Sequence, residues 1–266
     1  MPYASAVAAM LAGAGVGVLG GLIGLGGAEF RLPLLVGPFA IPLRRAIFLN
    51  LAVSLFTVLA GLAGRLAAGS AAPIVPLHVV MALMAGGAAG AYLGASWLVG
   101  ASSVALGRGV RWVLGLIGVL LVVESFLTGP ALGRLAHPIA QSVGGATAGI
   151  LIGVVSSLLG VAGGEMIIPT LVFGFGADIK AAGTASLIIS VPTVLMGLWR
   201  QAASGLRPTA EEVASTVVPM SAGSIAGALM GAFLVVYAPG AALKVLLGLV
   251  LIWSAVRLGR HAAPRG

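Results

Sequence analysis

The chain has 266 residues, 60% of them hydrophobic and 8% charged, with a mean hydropathy of +1.17. Soluble domains carry about a quarter charged residues, so 14 Lys and Arg with 6 Asp and Glu cannot clothe a globular surface, and the bilayer must act as solvent. The net charge of +8 sits between apolar runs, where cations set membrane orientation rather than bind nucleic acid, and the lack of Cys excludes disulfides, thiolate metal sites and Cys nucleophiles.

Uncharged runs cover 1–28, 46–64, 66–107, 135–164, 181–199 and 213–243. Several reach the roughly 20 residues a helix needs to span the hydrocarbon core. The first has no basic leader, which predicts a retained membrane segment rather than a cleaved signal peptide. In chain order the pattern predicts an opening segment over 4–41, broken near 24–29, then helices over 45–68, 75–99 and 109–128. A linker at 129–138 precedes a second opening segment over 139–176, broken near 160–165. Helices over 180–204, 211–236 and 240–258 and a tail at 259–266 follow. The expected architecture is one all-α polytopic membrane domain spanning 1–266, with repeat 1 at 4–128 and repeat 2 at 139–258.

The duplication shows when the chain is laid on itself. An offset of 136 positions aligns 17–62 with 153–198 without a gap, with 18 identities in 46 positions. Gly24 meets Gly160, Gly27 meets Gly163, Glu29 meets Glu165, Pro33 meets Pro169 and Ser54 meets Ser190. Offsets of 137 and 133 then pair 85–95 with 222–232 and Arg111, Leu114 and Gly115 with Lys244, Leu247 and Gly248. Such collinear blocks mark a tandem repeat.

After each glycine cluster comes an uncharged run of 12 residues, 32–43 and 166–177. A helix that short covers about 18 Å of a roughly 30 Å core. Each opening element therefore reads as a hairpin or re-entrant pair. Leaving out Arg31, a returning element puts Arg44, Arg45, Arg108, Arg111, Arg200, Arg207, Arg257, Arg260 and Arg265 on one face. Arg65, Arg134, Lys180 and Lys244 fall on the other, so nine cations face four. A once-crossing element gives six against seven and no orientation. The returning model obeys the positive-inside rule, predicts inverted repeats as in many secondary transporters, and makes the C-terminus cytoplasmic.

The two motifs read GGLIGLGGAEFRLPLL at 20–35 and SSLLGVAGGEMIIPTL at 156–171. Glycines that break a membrane helix expose backbone, tolerated only where it is buried in protein or lines a cavity. A proline four residues after the Glu suits the first turn of a new helix, so Pro33 and Pro169 mark structural breaks. The free N–H groups of the half-helices make Gly24, Gly26, Gly27, Gly160, Gly163 and Gly164 a candidate anion-binding set. The competing reading is close helix packing, preferred for the plain small-residue stretches 85–95 and 222–232.

Glu29 and Glu165 are candidate proton carriers; equally, they read as caps on half-helix N-termini. Arg31 has no twin, since position 167 is Ile; it is a candidate substrate contact, but pairing with Glu29 or snorkelling competes. Asn50, Ser54 and Thr57 match Ser186, Ser190 and Thr193 on the next helix. With Thr184 they form a polar stripe able to glue helices or to bond substrate oxygens. His78, His137 and His261 have no metal-ligand spacing, Glu124 reads as an interface anchor, and Glu211 and Glu212 as solvated. No nucleophile-base set or P-loop is present, so neither an enzyme, nor a metal, nor any cofactor is expected.

At these motifs the chain resembles the TauE/SafE sulfite exporter family, whose members carry a G-x-G-G-G-x-x-x-x-P-like signature opening each half and a GTS-like stretch on the next helix. Here these are Gly24 to Pro33, Gly160 to Pro169 and GTASL at 183–187. Ala28 and Ala162 each replace a glycine, Ala185 interrupts the GTS-like run, and FLNL at 48–51 stands where the second half has TASL. The resemblance implies a bacterial inner-membrane exporter of sulfite, organosulfonates or related small anions. The expected partners are that anion and the lipid bilayer, with homo-oligomerisation left open. A cation or metal transporter built on the paired glutamates, and a non-transporting membrane scaffold or enzyme, are the alternatives.

Overall fold

The structure, a computed structural model, describes residues 2–69, 75–97, 115, 116, 118, 119, 122, 123, 137–205 and 208–261. Among these residues there is no strand. The helices are α1 Pro2–Ile23, α2 Ala28–Val36, α3 Leu43–Ala67, α4 Leu77–Trp97, α5 Pro138–Leu159 and α6 Gly164–Pro169. A π-helical turn, Thr170–Gly174, extends α6, and α7 Ile179–Ala203 follows. The next helix, α8, runs from Ala210–Glu212 through a π-helical turn at Val213–Val217 into Val218–Tyr237, and α9 is Gly240–His261. Both opening segments break where expected. Of the predicted 109–128 helix the six described residues are helical, and Gly118 lies against Gly248 of α9. Glu124 and most of the linker fall outside the described residues.

Six helices among the described residues are long and apolar enough to cross a membrane: α1, α3, α4, α5, α7 and α8. Hydrophobicity alone gives no drive for helices to associate in lipid, so close backbone approach must supply dispersion energy instead. Two long seams do this, and they are reciprocal. The first helix of each repeat packs on the third helix of the other. In one seam a Cβ on Gly13, Gly17 or Gly21 of α1 would strike the backbone of Met220, Ser224 or Ala228 on α8. From the other side Gly223, Gly227 and Gly231 lie against the backbone of Met10, Ala14 and Val18. In the second seam Gly86, Gly90 and Gly94 of α4 meet the backbone of Ala146, Ile150 and Val154 on α5. The small-residue stretches at 85–95 and 222–232 are thus close-packing faces, as the sequence suggests.

The second helices, α3 and α7, fill the space between the seams and run antiparallel. Gly61 faces Leu187, Gly197 faces Leu51, and Arg65 near the end of α3 bonds Lys180 near the start of α7. The short α2 folds back beside α1: Leu35 and Ile41 share a buried cluster with Ala9 from the start of α1 and Ala46 and Leu49 from the start of α3. The first opening element therefore returns to the end it came from, in keeping with the length of its 12-residue run.

Candidate functional site

Each break is a left-handed reversal that a side chain would strain. Gly24 and Gly27 have φ of +97° and +67°, and Gly160 and Gly163 have +68° and +81°. The two helices end alike. The Gly20 carbonyl accepts from the Gly24 and Leu25 N–H groups at 2.9 and 2.8 Å, and the Ser156 carbonyl accepts from Gly160 and from Val161. Position 20 plus 136 is 156, so the repeat holds at the level of single hydrogen bonds.

Each break then packs on the second helix of the other repeat. A Cβ on Gly24 would overlap the backbone of Gly183 on α7, and one on Gly160 would meet Ile47 on α3. Ile47 and Gly183 are themselves counterparts. Between them the breaks touch: Gly26 lies against the methyl group of Ala162, and Gly164 against the Leu25 backbone. The four-residue reversals thus form one junction, flanked by α3 and α7.

Polar side chains converge there. Asn50 Nδ2 donates to the Ala28 carbonyl at 2.9 Å and to the Gly160 carbonyl at 2.8 Å, tying both breaks to α3. Its Oδ1 is buried with no hydrogen-bond partner, as are Ser54 Oγ, Ser186 Oγ and one carboxylate oxygen of each of Glu29 and Glu165. Ser186 lies against Gly164, and Ser54 against Gly26. Glu165 is buried while Glu29 keeps some exposed surface, and the two carboxyl groups stand within hydrogen-bonding reach of each other. Buried polar atoms in folded proteins nearly always find partners. A cluster of unpartnered ones at a glycine junction marks it as the candidate site.

Other candidates are committed differently. Arg31 is fully buried, so it does not snorkel. Its guanidinium turns back to donate to the Gly26 and Gly27 carbonyls, leaving Nη1 without a partner, and its charge lies close to Glu29. Thr57 and Thr193 bond the carbonyls of Val53 and Ile189 on their own helices. Ser190 is buried as well, and Thr184 Oγ1 accepts from Arg65 at 3.0 Å.

The prolines correct one expectation. Pro33 and Pro169 sit at the sixth position of α2 and α6, not in the first turn, because the helices begin at Ala28 and Gly164. A proline there has no N–H for the carbonyl four residues back. Those carbonyls belong to Glu29 and Glu165, so each proline withdraws the N–H that would otherwise bond them.

Arg65 is the residue that sequence reasoning missed. A single Arg closing an apolar run reads as a loop cation, yet it is fully buried. Its counterpart, at 65 plus 136, is Gln201, also fully buried. Extending the repeat alignment three positions past its end would have exposed the pair.

No curated protein and no solved structure matches the chain. Residues 145–265, which hold the second break, Glu165, Pro169 and the helix bearing Thr184, Ser186 and Ser190, match the family model described as Sulfite exporter TauE/SafE, so the second half of this membrane protein is similar to that family.

Proposed function

We propose that the protein is a secondary transporter that exports a small oxyanion, sulfite or an organosulfonate, across a bacterial inner membrane, with residues 1–266 acting as one integral unit. The observation that carries this reading is the junction itself: two half-helix starts, their glycine breaks in contact, flanked by the buried Ser54 and Ser186 hydroxyls, which have no hydrogen-bond partner. Helix N-termini offer N–H donors and positive potential, and uncharged donors hold an oxyanion without binding it too tightly to leave. In this reading Gly24, Gly26, Gly27, Gly160, Gly163 and Gly164 supply backbone, and Asn50, Ser54, Thr184, Ser186 and Ser190 supply side-chain contacts, with Arg31 balancing charge.

Glu29 and Glu165 are the coupling pair. Two carboxyl groups in reach of one another repel when both are ionised; a proton shared between them halves the negative charge, and Arg31 beside Glu29 offsets the rest, so an anion is not expelled. Carrying that proton across with each turnover couples flux to the proton gradient. The reciprocal seams and the antiparallel α3 and α7 support an inverted repeat, in which the two halves rock about the junction. With the loop cations inside, the C-terminus is cytoplasmic.

The carboxyl pair also motivates the competing cation reading, although no group of three or more His, Asp or Glu side chains comes together among the described residues. Reconstitution into proteoliposomes separates the two. Saturable sulfite flux without flux of Na⁺ or divalent cations is the expected result; cation flux without anion flux would overturn the assignment.

A further inference from the structure

The two breaks are pinned by equivalent residues of unequal strength. Arg65, at the end of α3, donates to the Gly21 carbonyl through Nε at 3.2 Å and Nη2 at 3.1 Å, and to Leu22 at 3.1 Å. Its Nη1 reaches the Lys180 carbonyl and Thr184 Oγ1, both at 3.0 Å. One guanidinium therefore joins the last turn of α1 to the first turn of α7. A cation at a helix C-terminus is favoured by the exposed carbonyls, and charge-assisted bonds are about twice as strong as neutral ones.

Gln201, at the end of α7, makes the matching contact in the other repeat. Its Nε2 donates to the Ser157 carbonyl, and Ser157 is the counterpart of Gly21. That bond is neutral and 3.5 Å long. Gln201 Oε1 and Ser157 Oγ are both buried without a hydrogen-bond partner. Such groups carry a desolvation penalty that water relieves as soon as it enters. The Arg65 end loses its charge-assisted bonds on opening, whereas the Gln201 end gains hydration.

We propose that Arg65 and Gln201 are paired latches on the two breaks, and that their inequality biases the resting protein toward opening at the Gln201 end. Arg65 is then a positioning residue: it holds the first break closed without touching substrate. The proposal rests on the transport reading of the junction, but its test needs no substrate, so failed sulfite flux and a failed latch are separate results.

The chain has no Cys, so a single introduced thiol labels without background. Leu25 and Val161 are equivalent residues inside the two breaks, 0% and 5% exposed. The experiment measures the rate at which a small water-soluble maleimide modifies Leu25→Cys and Val161→Cys in detergent-purified protein. Val161→Cys is expected to react about tenfold faster, as a population bias of this kind requires. Arg65→Gln should raise the Leu25→Cys rate to that of Val161→Cys and leave the latter within about twofold, while Arg65→Lys restores much of the protection. Gln201→Arg should slow Val161→Cys, a gain of protection that a misfolded protein cannot mimic. Equal rates in the parent, acceleration of both sites together by Arg65→Gln, or no slowing by Gln201→Arg would each overturn the proposal.

Discussion

Gly26 packs against Ala162, its own counterpart in the other repeat, so closely that a Cβ on Gly26 would collide with the Ala162 methyl group. Position 26 plus 136 is 162, so the two copies of the motif meet at equivalent points. One member of the pair must be the smaller. Gly26→Ala overpacks this contact and should destabilise the protein by about 1–3 kcal/mol. Gly26→Ala combined with Ala162→Gly exchanges the two residues and should recover most of the lost Tm in a thermal melt in detergent. A double variant no more stable than Gly26→Ala alone would show that the contact does not limit packing there.

Asn50 joins the two breaks through a single amide nitrogen, to Ala28 and to Gly160. Asn50→Ala leaves both carbonyls without this donor in a buried setting, a loss of about 1–3 kcal/mol. The measurement is a thermal melt paired with initial-rate flux. Asn50→Ser, which copies Ser186 at the equivalent position, should fall between the parent and Asn50→Ala in both.

Gly227 on α8 lies against Ala14 and Val18 on α1, at the middle of one seam, and Gly90 on α4 lies against Ile150 at the middle of the other. A Cβ at either place strikes backbone, which cannot turn aside as a side chain can. Gly227→Leu and Gly90→Leu should each lower the yield of monodisperse protein severely in size-exclusion chromatography. Gly15, which has open space where its Cβ would stand, is the control: Gly15→Leu should leave the yield close to the parent's.

Arg31 spends its guanidinium on the Gly26 and Gly27 carbonyls. Arg31→Gln keeps a donor but removes the charge, and breaking a buried charged network costs about 3–5 kcal/mol when a partner charge is stranded. Because Glu29 lies close by, Arg31→Gln should lower Tm sharply, and adding Glu29→Gln should restore part of it. Additive losses in that double-mutant cycle would show that the two side chains act independently.

The legible parts of this fold were those carried by repetition and by length. The offset of 136 brought Gly24, Glu29 and Pro33 onto Gly160, Glu165 and Pro169, and the structure puts a reversal at both clusters. A 12-residue run is too short to cross the membrane, and α2 does fold back along α1. The prolines were misplaced because the start of α2 is set by the left-handed turn at Gly27, a backbone property that five residues of helix-compatible sequence do not announce. Arg65 was misread because its role depends on carbonyls that only the end of α1 and the start of α7 bring within reach. The meeting of Glu29 with Glu165 likewise needs the two breaks to converge, which no local pattern encodes.

The most direct test of the central claim is sulfite flux in proteoliposomes with and without an imposed pH gradient, comparing the parent with Glu29→Gln and Glu165→Gln. Saturable sulfite flux that the gradient accelerates is expected in the parent, and flux indifferent to the gradient in either variant, because each removes one half of the shared-proton pair. Parent and variants with the same gradient dependence would contradict it and leave the two glutamates as caps on their half-helices.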